Sequence, residues 1–307
     1  MEQSYTTYFA EIYDQIMESV PYDYWYRYLQ DLLIYYQQEP KKILELAAGT
    51  SNMTLRLIEL ESLNQITALD LSSAMITKAQ EKLEYKLQES NSFKKYSVKD
   101  RFKYLIEQDK RKFSLQFEVQ DMKDFYFKNQ FDLIVSFFDS LNYLTEKAEL
   151  EACFKNAANS LTENGLFIFD LNSIGRIKTI AEKSVVFEDP SYECFWQDIV
   201  NKDKNLWKVK LKICPNNKAL PCFEEVHTER GYKISTVLDL LANSGFQAVD
   251  VYNAFSFAQG KNNSDRLYFV AAKAQSRLEK NQGLLKKIYF NAKNRVDYFL
   301  VNLKYLF

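Results

Sequence analysis

Residues 41–52, KKILELAAGTSN, narrow the folds open to this chain more than any other stretch. An apolar run (Ile43, Leu44, Leu46) stops at Ala47, Ala48 and Gly49, and the polar residues Thr50, Ser51 and Asn52 follow. Apolar positions then return at helical spacing in Met53, Leu55, Leu57, Ile58 and Leu60. Buried strand, small-residue turn, helix is how a parallel α/β sheet sets backbone N–H groups beside a ligand.

The chain repeats this rhythm. Ile66, Ala68 and Leu69 predict a second strand ending on Asp70, with Ser72 or Ser73 placed to cap the next helix. An acid at that tip, about 20 residues past the turn, is where a ribose diol is usually held. Residues 114–125 alternate Leu115, Phe117 and Val119 and end at Gln120-Asp121-Met122. Residues 131–144 form a near-continuous apolar run, the mark of a strand buried on both faces, which opens into Phe137, Asp139, Ser140, Asn142 and Tyr143. Residues 161–173 turn at Gly165, run through Leu166 to Phe169, and end at Asp170 and Asn172, while Glu149 to Ser160 read as an amphipathic helix between these last two strands. Ligands in open α/β sheets sit at the carboxyl ends of the strands, so these polar clusters should converge.

Around that frame lie additions. In residues 1–40, Tyr5, Tyr8, Phe9, Ile12, Tyr13 and Ile16, then Trp25, Tyr28, Leu29, Leu32 and Leu33 after Pro21, predict two helices forming a cap. Residues 82–112 hold ten Lys/Arg and five Asp/Glu, with Phe102, Leu105 and Ile106 at helical spacing; they read as a basic helical insertion. Residues 185–230 alternate between turn signals and predict an antiparallel lid. A helix over 232–246 and a hairpin of two final strands complete a domain spanning 41–275. Residues 276–307 carry seven basic and two acidic residues, with Leu285, Ile288, Ala292, Val296, Phe299, Leu300 and Leu303 on one helical face. That helix suits either a packed or dimer contact or an anionic membrane surface.

A net charge of −1 argues against a general polyanion binder and leaves only local patches for one. Cys153, Cys194, Cys214 and Cys222 never form CxxC and have one His, His227, for company, so no metal site is expected, and the thiols read as reduced ones in a cytoplasmic protein. Residues 1–20 lack a signal-peptide core, and no stretch is apolar enough to span a membrane.

In number and order these motifs resemble class I S-adenosylmethionine-dependent methyltransferases, most closely bacterial small-molecule enzymes with an antiparallel lid after the fifth strand. The likeness covers roughly residues 5–273, apart from 82–112. ILELAAGTSN resembles the family's Glu-x-Gly-x-Gly-x-Gly motif, with Glu45, Ala47, Gly49 and Ser51 at its four positions. ALDLSSAM resembles the ribose segment, VQDMKDF the adenine segment, and FDLIVSFFDSLNYL and LTENGLFIFDLNS the fourth and fifth strand motifs. The resemblance implies a Rossmann-like, seven-stranded, mostly parallel sheet with helices on both faces.

It also implies S-adenosylmethionine as cofactor. Glu45, Ala47 and Gly49 would contact its methionine part and Asp70 its ribose. Leu71 and Met75 would flank adenine, and Gln120, Asp121 and Met122 would read it. Phe137 and the looser aromatic matches Tyr13 and Trp25 would cover the cofactor. The lid segment FEEVHTERGY implies His227 as base, with Glu225 on the same strand face, and Asp139, Asn142, Tyr143 and Asn172 as acceptor-binding residues. Ala47 and Ser51 replace two of the family's glycines, which permit a positive φ. The expected activity is methylation of an N or O atom of a small-molecule acceptor. Two alternatives stand: an RNA or protein methyltransferase docking through the basic insertion, and a non-catalytic binding or scaffold protein. NAD is disfavoured because no GxGxxG follows the first strand.

Overall fold

The computed structural model describes residues 5–88, 93–98, 101–108, 110–217, 221–279 and 288–294. Helices α1 (Thr7–Ile16) and α2 (Tyr22–Tyr35) precede the sheet. Thr6 caps α1, its hydroxyl accepting from the Phe9 amide. Then come β1 (Lys42–Leu46), α3 (Thr54–Leu57), β2 (Gln65–Asp70), α4 (Ser73–Gln88), β3 (Phe93–Val98), β4 (Arg101–Gln108), β5 (Arg111–Val119) and β6 (Phe131–Ser136). A 3₁₀ turn (Ser140–Tyr143), α5 (Lys147–Ser160), β7 (Leu161–Asn172) and α6 (Ile174–Thr179) follow. The four lid strands are β8 (Ser184–Glu188), β9 (Tyr192–Asn201), β10 (Leu206–Pro215) and β11 (Phe223–Arg230). The chain then runs through α7 (Ile234–Asn243), β12 (Ala248–Asn253), β13 (Arg266–Ala272) and α8 (Ser276–Glu279).

Among the described residues, nine strands form one sheet in the order β12-β13-β7-β6-β1-β2-β5-β4-β3. The five inner strands β7, β6, β1, β2 and β5 are parallel, and antiparallel pairs flank them on both sides. The strand order reverses at β1, which lies between β2 and β6, so the sheet's ligand crevice opens beyond the carboxyl end of β1. From Leu133 on, β6 alternates between faces: Leu133 and Val135 pack toward α2, α3 and α4 and Ile134 toward α5 and α7, while a register irregularity between Phe131 and Leu133 puts Phe131 on the same face as Ile134.

The strand count differs from seven because residues 82–112 are not a helical insertion. Through Gln88 they belong to α4, and Phe93–Val98 and Arg101–Gln108 are strands that extend the sheet. The period-2 set Phe102, Tyr104 and Ile106 wins over the helical spacing: Tyr104 and Ile106 are buried, while Leu105 is 42% exposed. Lys95 pairs with Glu84, Arg101 with Glu118 and Lys112 with Glu107.

The lid is an antiparallel four-stranded sheet in the order β11-β10-β9-β8. Tyr192, Cys194, Val209, Leu211 and Ile213 on its inner face pack with Phe9 and Ala10 of α1 and with Met75. The thiols are not all reduced, because Cys214 and Cys222 form a disulfide. The β10–β11 register pairs Ile213 with Phe223, which brings the two cysteines face to face across the connection, and spacing alone does not reveal that register.

Of the C-terminal amphipathic face, Leu285, Val296, Phe299, Leu300 and Leu303 lie outside the described residues. Within 288–294, Phe290 packs on Phe257 and Tyr35, and Lys293 pairs with buried Asp31 of α2. No helix among the described residues is long and apolar enough to cross a membrane.

Candidate active site

The turn after β1 is the floor of a partly open cleft. Ala47, Gly49 and Ser51 all take left-handed backbone, with φ of 53°, 56° and 67°. Alanine and serine therefore adopt the conformation for which glycine is suited, at about 1 kcal/mol each. A Cβ built on Gly49 meets nothing within 4 Å; it points into open space that a ligand can fill. Asp70 holds this turn, its Oδ2 accepting the Gly49 amide at 2.8 Å and its Oδ1 the Ser72 amide at 2.8 Å. Burial raises its carboxyl pKa, and those amides pull it back down.

Glu45, at the end of β1, is buried and accepts the Thr54 hydroxyl at 2.5 Å. Burial, with Asp70 nearby, pushes its carboxyl up to about 8 despite the Thr54 bond. The folded chain therefore holds this proton where the unfolded chain has lost it, so stability falls as pH rises from about 4.5 toward 8. Glu45→Gln should remove that part of the slope. Thermal unfolding of both proteins at pH 5.5 and 8 checks it; equal slopes would contradict the assignment.

The other walls come from distant segments. Leu71, Gln120, Asp121 and Met122 line one side, and Phe137, Phe138, Ser140 and Tyr143 the other. Tyr5, Tyr13 and Tyr22 line it from the N-terminal cap. Gln120 Oε1 is buried without a partner. Among the described residues, three carboxylates (Glu45, Asp70, Asp121) and no lysine or arginine line the cleft. That suits a cationic ligand without phosphates, which a sulfonium cofactor is and a dinucleotide is not.

A clamp absent from the sequence reading ties α1 to the turn. Asp14 accepts from the Thr50 hydroxyl at 2.7 Å and the Asn52 amide at 3.0 Å, and Lys82 bridges Asp14, Thr50 and Asn52.

A family model described as a methyltransferase domain matches residues 44–167, the stretch that carries the turn, Asp70, Asp121 and Tyr143. This match, with the relatives below, supports a class I S-adenosylmethionine-dependent methyltransferase. Bacillus subtilis (strain 168) YqeM, a protein whose name calls it a methyltransferase, is 28% identical over 271 residues, covering 87% of this chain and 97% of that one. A Clostridium acetobutylicum ATCC 824 S-adenosylmethionine-dependent methyltransferase structure is similar at a TM-score of 0.69 and 22% identity, over 87% of this chain and 98% of that one. The structure of S-adenosylmethionine-bound CalS10, an amino pentose methyltransferase from Micromonospora echinaspora, matches at a TM-score of 0.59 and 12% identity, over 88% and 99%. These likenesses support S-adenosylmethionine as the cofactor.

Several residues expected at the cleft stand elsewhere. Trp25 does not line the cleft; it stacks on Phe138, a wall residue, at 4.7 Å and packs edge-on to Phe255. Met75 is buried between α1 and the lid, because its helical face points away from the crevice. Asn142 is buried and braces the wall, donating to the Asn172 and Arg230 carbonyls and accepting the Asn172 amide. The Asn172 side-chain amide donates to Asp139 at 2.6 Å and Glu229 at 2.9 Å. Burial, then Asp139, raises the Glu229 pKa well above the usual carboxylate range.

Asp139 follows Phe138 in a loop where both residues have positive φ, 58° and 53°, a strained arrangement that surrounding bonds must hold. Asp170 accepts the Asp139 amide, and Arg266 pairs with both carboxylates. His227 and Glu225 also do not line the cleft. They sit behind Tyr143 on β11, and burial lowers the imidazole to about 4, so it is neutral at pH 7.

Proposed function

We propose that the chain methylates an N or O atom of a small-molecule acceptor seated against Phe138, Ser140 and Tyr143, opposite the cofactor. The observation that carries this reading is that one cleft joins the β1 turn and Asp70 at one end to Tyr143 at the other, under the tyrosines of the cap. When bound, S-adenosylmethionine supplies an electrophilic methyl group. On this reading the Gly49 turn and Glu45 hold its methionine part and Asp70 the ribose hydroxyls. Leu71, Gln120, Asp121 and Met122 surround adenine, and Phe137 and Tyr13 close over it. The protein's work is then to align donor and acceptor and keep water out.

The roofed cleft favours a small acceptor. The acceptor named for the Micromonospora protein is that protein's own and does not choose one here. Incubation with S-adenosylmethionine and a metabolite panel should yield S-adenosylhomocysteine with a small acceptor alone. Turnover that requires RNA or protein, and disappears on nuclease or protease treatment, would overturn this reading.

A further inference from the structure

Behind the cleft wall, two buried polar atoms with no hydrogen-bond partner face each other: His227 Nε2 and Glu225 Oε2, 4.0 Å apart. They end a chain of groups that starts in the cleft. Tyr5 OH donates to Tyr143 OH at 2.8 Å, and Tyr143 OH lies 3.1 Å from His227 Nδ1. Since the Tyr143 oxygen already receives the Tyr5 proton, its own proton is left for Nδ1. A neutral imidazole that accepts at Nδ1 carries its hydrogen on Nε2, toward Glu225. The other Glu225 oxygen, Oε1, accepts from both the amide and the hydroxyl of Thr6, the residue that caps α1. The rings of Tyr5 and Phe9, at 4.9 and 5.3 Å, cover the imidazole. Docking of α1 therefore holds Glu225 in place and shields His227 from water.

We propose that Tyr143, His227 and Glu225 form a proton relay for the methyl acceptor, in which Tyr143 is the catalytic residue at the cleft and His227 and Glu225 are positioning residues behind it. This rests on the reading of the cleft as a methyl-transfer site. The step balances. The acceptor's bond to the methyl carbon forms as its N–H or O–H bond breaks, and the carbon–sulfur electron pair stays on sulfur. The acceptor's proton goes to Tyr143 Oη while the Tyr143 proton goes to His227 Nδ1. The resulting imidazolium faces Glu225 with its Nε2–H, the logic by which a carboxylate orients a histidine base. It also accounts for a histidine and a glutamate being placed out of contact with the cleft.

His227 is the only histidine in the chain, so ¹⁵N-histidine labelling of the full-length protein reports this imidazole alone. Long-range ¹H–¹⁵N spectra at pH 7, with S-adenosylhomocysteine as added ligand, should show the neutral Nε2–H tautomer. Tyr143→Phe should shift the Nδ1 resonance toward that of an unbonded nitrogen, and Glu225→Gln should lose the tautomer preference. A wild-type Nδ1–H tautomer overturns the relay without needing any variant, as does an Nδ1 resonance unmoved by Tyr143→Phe. Calorimetry on the same sample separates the two claims. S-adenosylhomocysteine binding with the wrong tautomer sinks the relay alone, and absence of binding sinks the functional reading beneath it.

Discussion

Gly49→Val is expected to abolish measurable S-adenosylhomocysteine binding while leaving the chain folded. No atom lies within 4 Å of a Cβ at Gly49, so a side chain can start there without meeting the protein. It extends instead into the cleft, over backbone that the cofactor must approach closely. The fold loses only the strain of a β-branched residue at φ 56°, on the order of 1–2 kcal/mol. Affinity should fall by roughly 100-fold or more, about 3 kcal/mol. Calorimetry and thermal unfolding on the same preparation separate the two effects. A folded variant that binds as wild type does would show that the turn does not face the cofactor.

Arg266→Met should cause the larger loss of stability. The guanidinium pairs with Asp139 at 2.9 Å and with the fully buried Asp170, and it lies 5.8 Å from the centre of the Trp25 ring. Burial raises the Asp170 carboxyl to about 6 even with the guanidinium present. Methionine fills the space but leaves Asp170 without its charge partner, and breaking such a pair costs about 3–5 kcal/mol. For a chain of this size that is a fall in Tm on the order of 10 °C. Adding Asp170→Asn should recover part of it, since the orphaned charge is then gone. A fall below about 2 °C would mean that the strained Phe138–Asp139 loop is held by something other than this pair.

The features that could be read from the residues are the local ones. The turn at 47–51, Asp70 and the Gln120–Met122 segment each follow directly from a strand end, and strand ends converge in a parallel sheet. The predicted lid and the final hairpin likewise depend on alternation within one short segment. What was missed depends on register or on helix orientation. Asp14 meets Thr50 and Lys82 only once α1 is laid across the turn. Met75 and Trp25 lie on helices whose facing is set by the packing of Phe9, Tyr192 and Phe138. The insertion was misread because Tyr104 was left out of the apolar pattern, and its burial turns a helical spacing into a strand. Cys214 and Cys222, separated by eight positions, pair through a hairpin register that composition does not contain.

The central claim is that the cleft above the β1 turn holds S-adenosylmethionine. Titration of S-adenosylhomocysteine into the full-length wild-type protein, followed by calorimetry, tests it most directly. Saturable one-to-one binding that disappears in Gly49→Val is the predicted result. No heat of binding from folded wild-type protein, or equal binding by the two proteins, would contradict it.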